Sequence, residues 1–185
     1  MNEAIGAPQP IQPVMQPQPT SQPVQAPTSS LPAHIMQDEG LRFNAYNDTV
    51  GERTVGYGFN MNSGIAKNVW KQAGIEADFD DVYNNRAAIS PAEATRLGEA
   101  SYEIAYNDAE ALFPDIQDMT PVRKDALMNL SYQLGKSRLM GFKKMRAAVN
   151  SGRWTEAARE LLKSEYAKQV PRRANEQARK LLRGE

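Results

Sequence analysis

The sequence has no cysteine and one histidine, His34. Without thiols no disulfide staples the fold and thiol chemistry is excluded, a composition that fits a reducing compartment. No metal-ligand spacing, Gly-rich phosphate loop or internal repeat is present, so no metal or other cofactor is expected. No apolar run approaches the ~20 residues of a membrane helix. The first residues carry Glu3, no Lys or Arg, and no continuous apolar core. They do not read as a secretory signal. His34 lies one turn from Glu39 on a different helical face and reads as a surface residue.

What is present suffices for one domain with a core: 185 residues, 41% of them hydrophobic. Net charge is zero, yet the charges are segregated. Residues 38–118 hold 6 Lys+Arg against 15 Asp+Glu, and residues 120–185 hold 16 against 6. A basic C-terminal part suits a polyanion, such as nucleic acid, an anionic surface or an acidic cell-wall polymer, or else simply covers solvated helix faces.

Residues 1–33 contain 8 of the 12 prolines and 6 glutamines. Proline removes backbone donors and locks φ, so this stretch is expected to be an extended or disordered arm, either a linker or a tether to a partner. The folded part is expected to start near Ser29 or Ser30. A helix then runs to Glu39, with Gly40 as its permissive end. Alternation over 41–60 predicts strand, turn, strand, with Leu41, Phe43 and Ala45 on the buried parity. Met61–Gly64 reads as a further turn, Ile65–Gln72 as a short helix, and 75–88 as acidic and irregular. Ser90-Pro91-Ala92-Glu93 is a capping box with proline at the first helical position, opening a helix to about Leu112. Beyond Thr120 everything reads as helix, with Gly135 and Gly152 as stops.

The stretch 38–60 carries the chemistry. Glu39 sits at a helix end, Asp48 near a turn, and Thr54 just before Gly56-Tyr57-Gly58. Two carboxylates and a hydroxyl around a hairpin meet the needs of glycoside hydrolysis: a proton donor, and a group to handle water or the oxocarbenium-like transition state.

Glu39-Gly40, Tyr46-Asn47-Asp48 and Gly51-Glu52-Arg53-Thr54-Val55-Gly56-Tyr57-Gly58 resemble the pattern of the phage-type lysozymes, glycoside hydrolase family 24. Asp125-Ala126-Leu127, Asn129, Gln133-Leu134-Gly135, Gly141-Phe142, Trp154–Ala158 and Pro171-Arg172-Arg173-Ala174 extend the resemblance. It covers about 34–180, poorly over 75–88. It implies an α+β, mostly α, two-lobed phage-lysozyme-like fold: a small β-containing lobe at about 41–90, a connecting helix at 91–112, and a helical lobe from 113–185 plus 31–40. It also implies a metal-free, inverting muramidase that binds bacterial peptidoglycan between the lobes.

On that footing Glu39 is the expected general acid, Asp48 stays ionised and stabilises charge or orients water, and Thr54 holds the attacking water. Inversion needs carboxyls ~6.5–9.5 Å apart, so the hairpin must fold Asp48 back toward Glu39. The family match makes Arg173, with Arg172 as its competitor, the partner of Glu39. Tyr132 and Gln133 would line the sugar cleft, with Asn60 at its edge. Phe59 stands where the family usually has a histidine in a structural ion pair, and is expected to pack apolarly instead. The Pro/Gln arm suggests a virion-associated form bound to phage structural proteins, rather than an endolysin waiting in the host cytoplasm. No nucleic-acid partner is expected. A non-catalytic sugar-binding or structural module and a lytic transglycosylase are the competing readings.

Overall fold

The computed structural model describes residues 32, 36, 40–48 and 51–185. The expected arm apart from Pro32, and His34, Asp38 and Glu39, therefore lie outside the described residues. Of the first helix, Met36 is helical with its N–H on the Pro32 carbonyl at 3.3 Å. Gly40 takes φ +65°, the left-handed conformation a helix-ending glycine adopts.

Three strands, not two, form an antiparallel sheet: β1 (Arg42–Asn47), β2 (Arg53–Gly56) and β3 (Phe59–Asn60), in that order. Gly56 and Gly58, at φ +66° and +83°, turn the chain so tightly that Thr54 pairs with Asn60 and Val55 with Phe59. The expected continuous strand through Gly58 is thus a hairpin, because two positive-φ glycines cannot extend a strand. The alternation expected of β1 also fails. Ala45 is buried, but Leu41 and Phe43 are 40% and 37% exposed. The register against β2 shifts between Arg42 and Tyr46, and such an irregularity breaks the period of two.

Helix α1 (Ala66–Gln72) follows. The acidic stretch is not irregular throughout, since it holds α2 (Phe79–Tyr83). Its acids start that helix: Asp78 accepts from the Asp81 N–H, and Asp80 and Asp81 sit in the first turn, where the helix dipole favours anions. Then comes α3 (Pro91–Leu112), 22 residues opened by the complete Ser90–Glu93 capping box. At 1.5 Å per residue it is ~33 Å long.

After a 3-10 turn at Ile116–Asp118, the chain is helical: α4 (Pro121–Met140), α5 (Lys143–Val149), α6 (Trp154–Leu162), α7 (Glu165–Gln169) and α8 (Pro171–Arg183). Gly135 does not end α4. At φ +66°, ψ 165° it kinks the helix, which resumes through Met140. On α6, Leu162 is 43% exposed.

Two apolar cores result. One gathers Val55, Phe59, Trp70 and Val82 with Ala94 and Leu97 of α3. Its centre is Trp70, whose indole N–H donates to the Ala77 carbonyl at 2.8 Å and whose ring meets Phe79 edge-on at 5.2 Å. The other gathers Phe113, Leu127, Leu130, Leu161 and Leu181 with Ala109 and Leu112 of α3. Each large apolar side chain so buried stabilises by ~1.5–3 kcal/mol. The first half of α3 belongs to one core and the second half to the other, so the helix spans both.

Candidate active site

A cleft of about 630 Å³ opens between the sheet and helices α3 and α4. Asp48, Glu52, Thr54 and Asn60 line its sheet side, and Asp108, Tyr132, Gln133 and Lys136 its helical side.

The sheet side is built by one loop. The Asp48 N–H donates to the Glu52 carbonyl at 2.9 Å, and the Gly51 N–H to the Asp48 carbonyl at 3.1 Å. The Glu52 N–H donates to Asp48 Oδ1 at 2.8 Å. Thr54, 3% exposed, donates its hydroxyl to the Glu52 carbonyl at 3.1 Å. Backbone groups of Glu52 therefore hold both the Asp48 carboxylate and the Thr54 hydroxyl. Gly51, at φ +85°, makes the turn that brings them together.

The helical side is held by contacts distant in sequence. Tyr132 reaches across the cleft, its hydroxyl donating to the Tyr57 carbonyl at 2.7 Å, and its ring lies 6.4 Å from that of Tyr102. Gln133 is fixed at both ends: Nε2 donates to Asn129 Oδ1 at 2.7 Å, and Oε1 accepts from the Tyr166 hydroxyl. Beneath them, the Ser131 hydroxyl ties α4 to the Ala105 carbonyl of α3 at 2.8 Å. Lys136 and Asp108 face each other at 3.5 Å.

Of the residues predicted from sequence, the cleft thus assembles Asp48, Thr54, Asn60, Tyr132 and Gln133. Arg173 lies half-buried in the first turn of α8 and does not line it. The expected partner of Arg173, Glu39, lies outside the described residues, and with it the carboxyl separation. Sequence reasoning missed Glu52, Asp108 and Lys136. Glu52 had a signal, since it shares strand parity with Thr54. Asp108 and Lys136 had none, because their meeting depends on how α3 packs on α4.

Phe59 is 7% exposed, 6.1 Å from the Trp70 ring, and so packs in the small core as expected. A second, more apolar hollow of about 700 Å³ lies on the helical lobe and shares Leu134 and Arg138 with the cleft, but holds none of the predicted site residues. Among the described residues, no group of three or more His, Cys, Asp or Glu could hold a metal ion. No described helix is long and apolar enough to cross a membrane.

The phage lysozyme family model matches residues 36–181. This chain belongs to the phage lysozyme family. Its relatives include two probable T4-type lysozymes of Dictyostelium discoideum. One is 31% identical over 157 residues, and the other 27% over 156; each match covers 80% of this chain and 90% of the relative. The pre-baseplate central spike protein of Enterobacteria phage T4 is 29% identical over 168 residues, which are 85% of this chain but 28% of that protein. The cleft of this family member lies where α3 passes from one core to the other.

Proposed function

We propose that this protein is a muramidase that hydrolyses the β-1,4 bond between N-acetylmuramic acid and N-acetylglucosamine in bacterial peptidoglycan, with inversion. The observation that carries this reading is the pairing of Asp48 and Thr54 on the backbone of Glu52, at the wall of the cleft. The Thr54 hydrogen is engaged by the Glu52 carbonyl, so the hydroxyl oxygen offers lone pairs to the cleft. A water there donates one hydrogen to Thr54 and the other to the Asp48 carboxylate. Its own lone pair is then left to attack the anomeric carbon, and Asp48 takes up the proton as the bond forms.

Glu39 protonates the leaving glycosidic oxygen from the opposite face. That role needs a carboxyl pKa raised toward the working pH, so desolvation by bound sugar must outweigh the lowering effect of the proposed pairing with Arg173. Gln133 keeps one amide hydrogen and one lone pair for a sugar substituent, and the Tyr132 ring offers a face to a pyranose. Membership of the phage lysozyme family and the similarity to T4-type lysozymes support the same chemistry.

The Pro/Gln arm of residues 1–33 and the similarity to a pre-baseplate central spike protein favour work from the virion, with the arm bound to a phage structural protein. Protein recovered from purified particles supports that placement, and absence from them refutes it. For the chemistry, Glu39→Gln is expected to abolish clearing of outer-membrane-stripped Gram-negative cells, a loss of roughly 10³-fold or more. Clearing at the wild-type rate overturns the assignment. Anhydro-muramic ends in the products would replace hydrolysis by transglycosylation.

A further inference from the structure

The cleft holds a carboxylate for which the proposed reaction has no use. Glu52 lines the same wall as Asp48 and Thr54 and is half-buried. Its Oε2 accepts from Asn62 Nδ2 at 2.9 Å. Asn62 is itself braced: its Oδ1 accepts from the Tyr83 hydroxyl at 2.9 Å, and its backbone N–H donates to Asn60 Oδ1 at 2.8 Å. Tyr83 is anchored in turn by Arg53, whose Nε donates to the Tyr83 carbonyl at 2.8 Å and whose guanidinium lies 5.8 Å from the ring centre. Among the described residues, Glu52 Oε1 accepts no hydrogen bond.

A long acidic side chain on a loop ordinarily samples many rotamers in water, and fixing it costs entropy. Here Asn62, braced by Asn60 and Tyr83, fixes one oxygen and leaves the other at the wall of a cleft. That is the arrangement of a preorganised acceptor: ordering is complete before a ligand arrives, so a charge-assisted hydrogen bond to the ligand keeps its full strength. The donors an amino-sugar offers are its acetamido N–H and its ring hydroxyls.

We propose that Glu52 is a substrate-binding residue of this cleft. Its Oε1 accepts a hydrogen bond from an acetamido N–H or hydroxyl of the bound glycan, and Asn62 is the positioning residue that aims it. The identity of the ligand rests on the muramidase reading; the anchored acceptor does not.

Glu52→Gln tests it, because the glutamine carbonyl still accepts from Asn62 while its amide group turns a donor toward the sugar's donor. With peptide-free glycan strands as substrate, KM is expected to rise about 10-fold, the loss of one charge-assisted hydrogen bond, with kcat within about 3-fold and the melting temperature unchanged. Asn62→Ala is expected to raise KM less, about 3-fold, and Asn62→Gln to recover part of it. An NMR titration of each protein with the same strands reads binding without turnover. Wild-type protein that fails to cleave the strands defeats the muramidase reading, and the titration alone then decides on Glu52. Unchanged KM and unchanged binding in Glu52→Gln overturn the proposal. So does a fall in kcat at constant KM, which would mean that Glu52 acts only by shaping the loop around Asp48.

Discussion

The two walls of the cleft are built in different ways. On the sheet side, Asp48, Glu52 and Thr54 hold one another across sequence separations of four and two. On the helical side, Tyr132, Gln133 and Ser131 are held by Tyr57, Tyr166 and Ala105, at separations of 75, 33 and 26. The sheet wall is a local turn whose geometry follows from its own glycines and hydrogen bonds. The helical wall exists only once several helices have packed. In the proposed mechanism the groups that handle water thus sit on the element least dependent on distant packing, while Tyr132 and Gln133, proposed to contact sugar, sit on the element most dependent on it.

The largest effect that probes this contrast is expected from Thr54→Val. Valine fills the same buried space but offers no oxygen to water. We expect kcat to fall roughly 10²-fold or more, the usual scale for losing a proton-handling group. Stability should change by about 1 kcal/mol, since the Glu52 carbonyl keeps the Asp48 N–H. Single-turnover kinetics on glycan strands separates this from a binding defect, and a kcat near wild type would remove Thr54 from the water site.

Glu93 sets how firmly the sheet wall is backed, because α3 begins beneath the sheet: a Cβ built on Gly56 would meet Ala94 at 3.9 Å. Burial pushes the Glu93 carboxyl up, but hydrogen bonds from the Ser90 N–H and hydroxyl and from the Ala77 and Glu76 N–H groups outweigh it. Its pKa falls from the ordinary 4.5 to about 2. A folded-state pKa below the unfolded one means stabilisation that is complete above about pH 4.5 and lost as pH falls toward about 2. Glu93→Gln is expected to cost about 1–3 kcal/mol at neutral pH, by pointing an amide at these donors, and to flatten the stability loss across that acid window. Urea unfolding between pH 2 and 7 measures both; an equally steep acid limb in the variant would refute the role.

The smallest effect separates the walls from each other. Tyr132→Phe removes the hydroxyl that joins α4 to the Tyr57 carbonyl. A loss of about 1 kcal/mol is expected, with kcat within a few-fold, because the aromatic face toward the cleft remains. A loss of activity as large as that of Thr54→Val would show that the cleft requires this hydrogen bond, and the contrast drawn between its walls would fail.

The same contrast explains what was legible in the sequence. The capping box at Ser90 and Glu93 announced α3, because cap, proline and glutamate act within one turn. Asp48 and Thr54 were legible for the same reason, since Gly51 marks the turn between them; the hairpin at Gly56 and Gly58 was not, because that stretch reads as one strand until its pairing is seen. Gly135 was misread, because a positive φ is equally the mark of a stop and of a kink; packing decided that α4 resumes. Leu41 and Phe43 were placed inside by parity, and the register shift in β1 left them partly exposed.

By itself the sequence determined membership of a lysozyme family, through motifs spread along most of the chain, and the 22-residue helix and the turn that presents Asp48 beside Thr54, which rest on groups within a few residues of one another. Only the tertiary structure decided that Tyr132 closes on Tyr57, that Tyr166 clamps Gln133, and that Asn62 turns Glu52 from a surface acid into an anchored one. Those contacts join residues 10 to 75 positions apart, and no local preference encodes which distant partner packing will deliver.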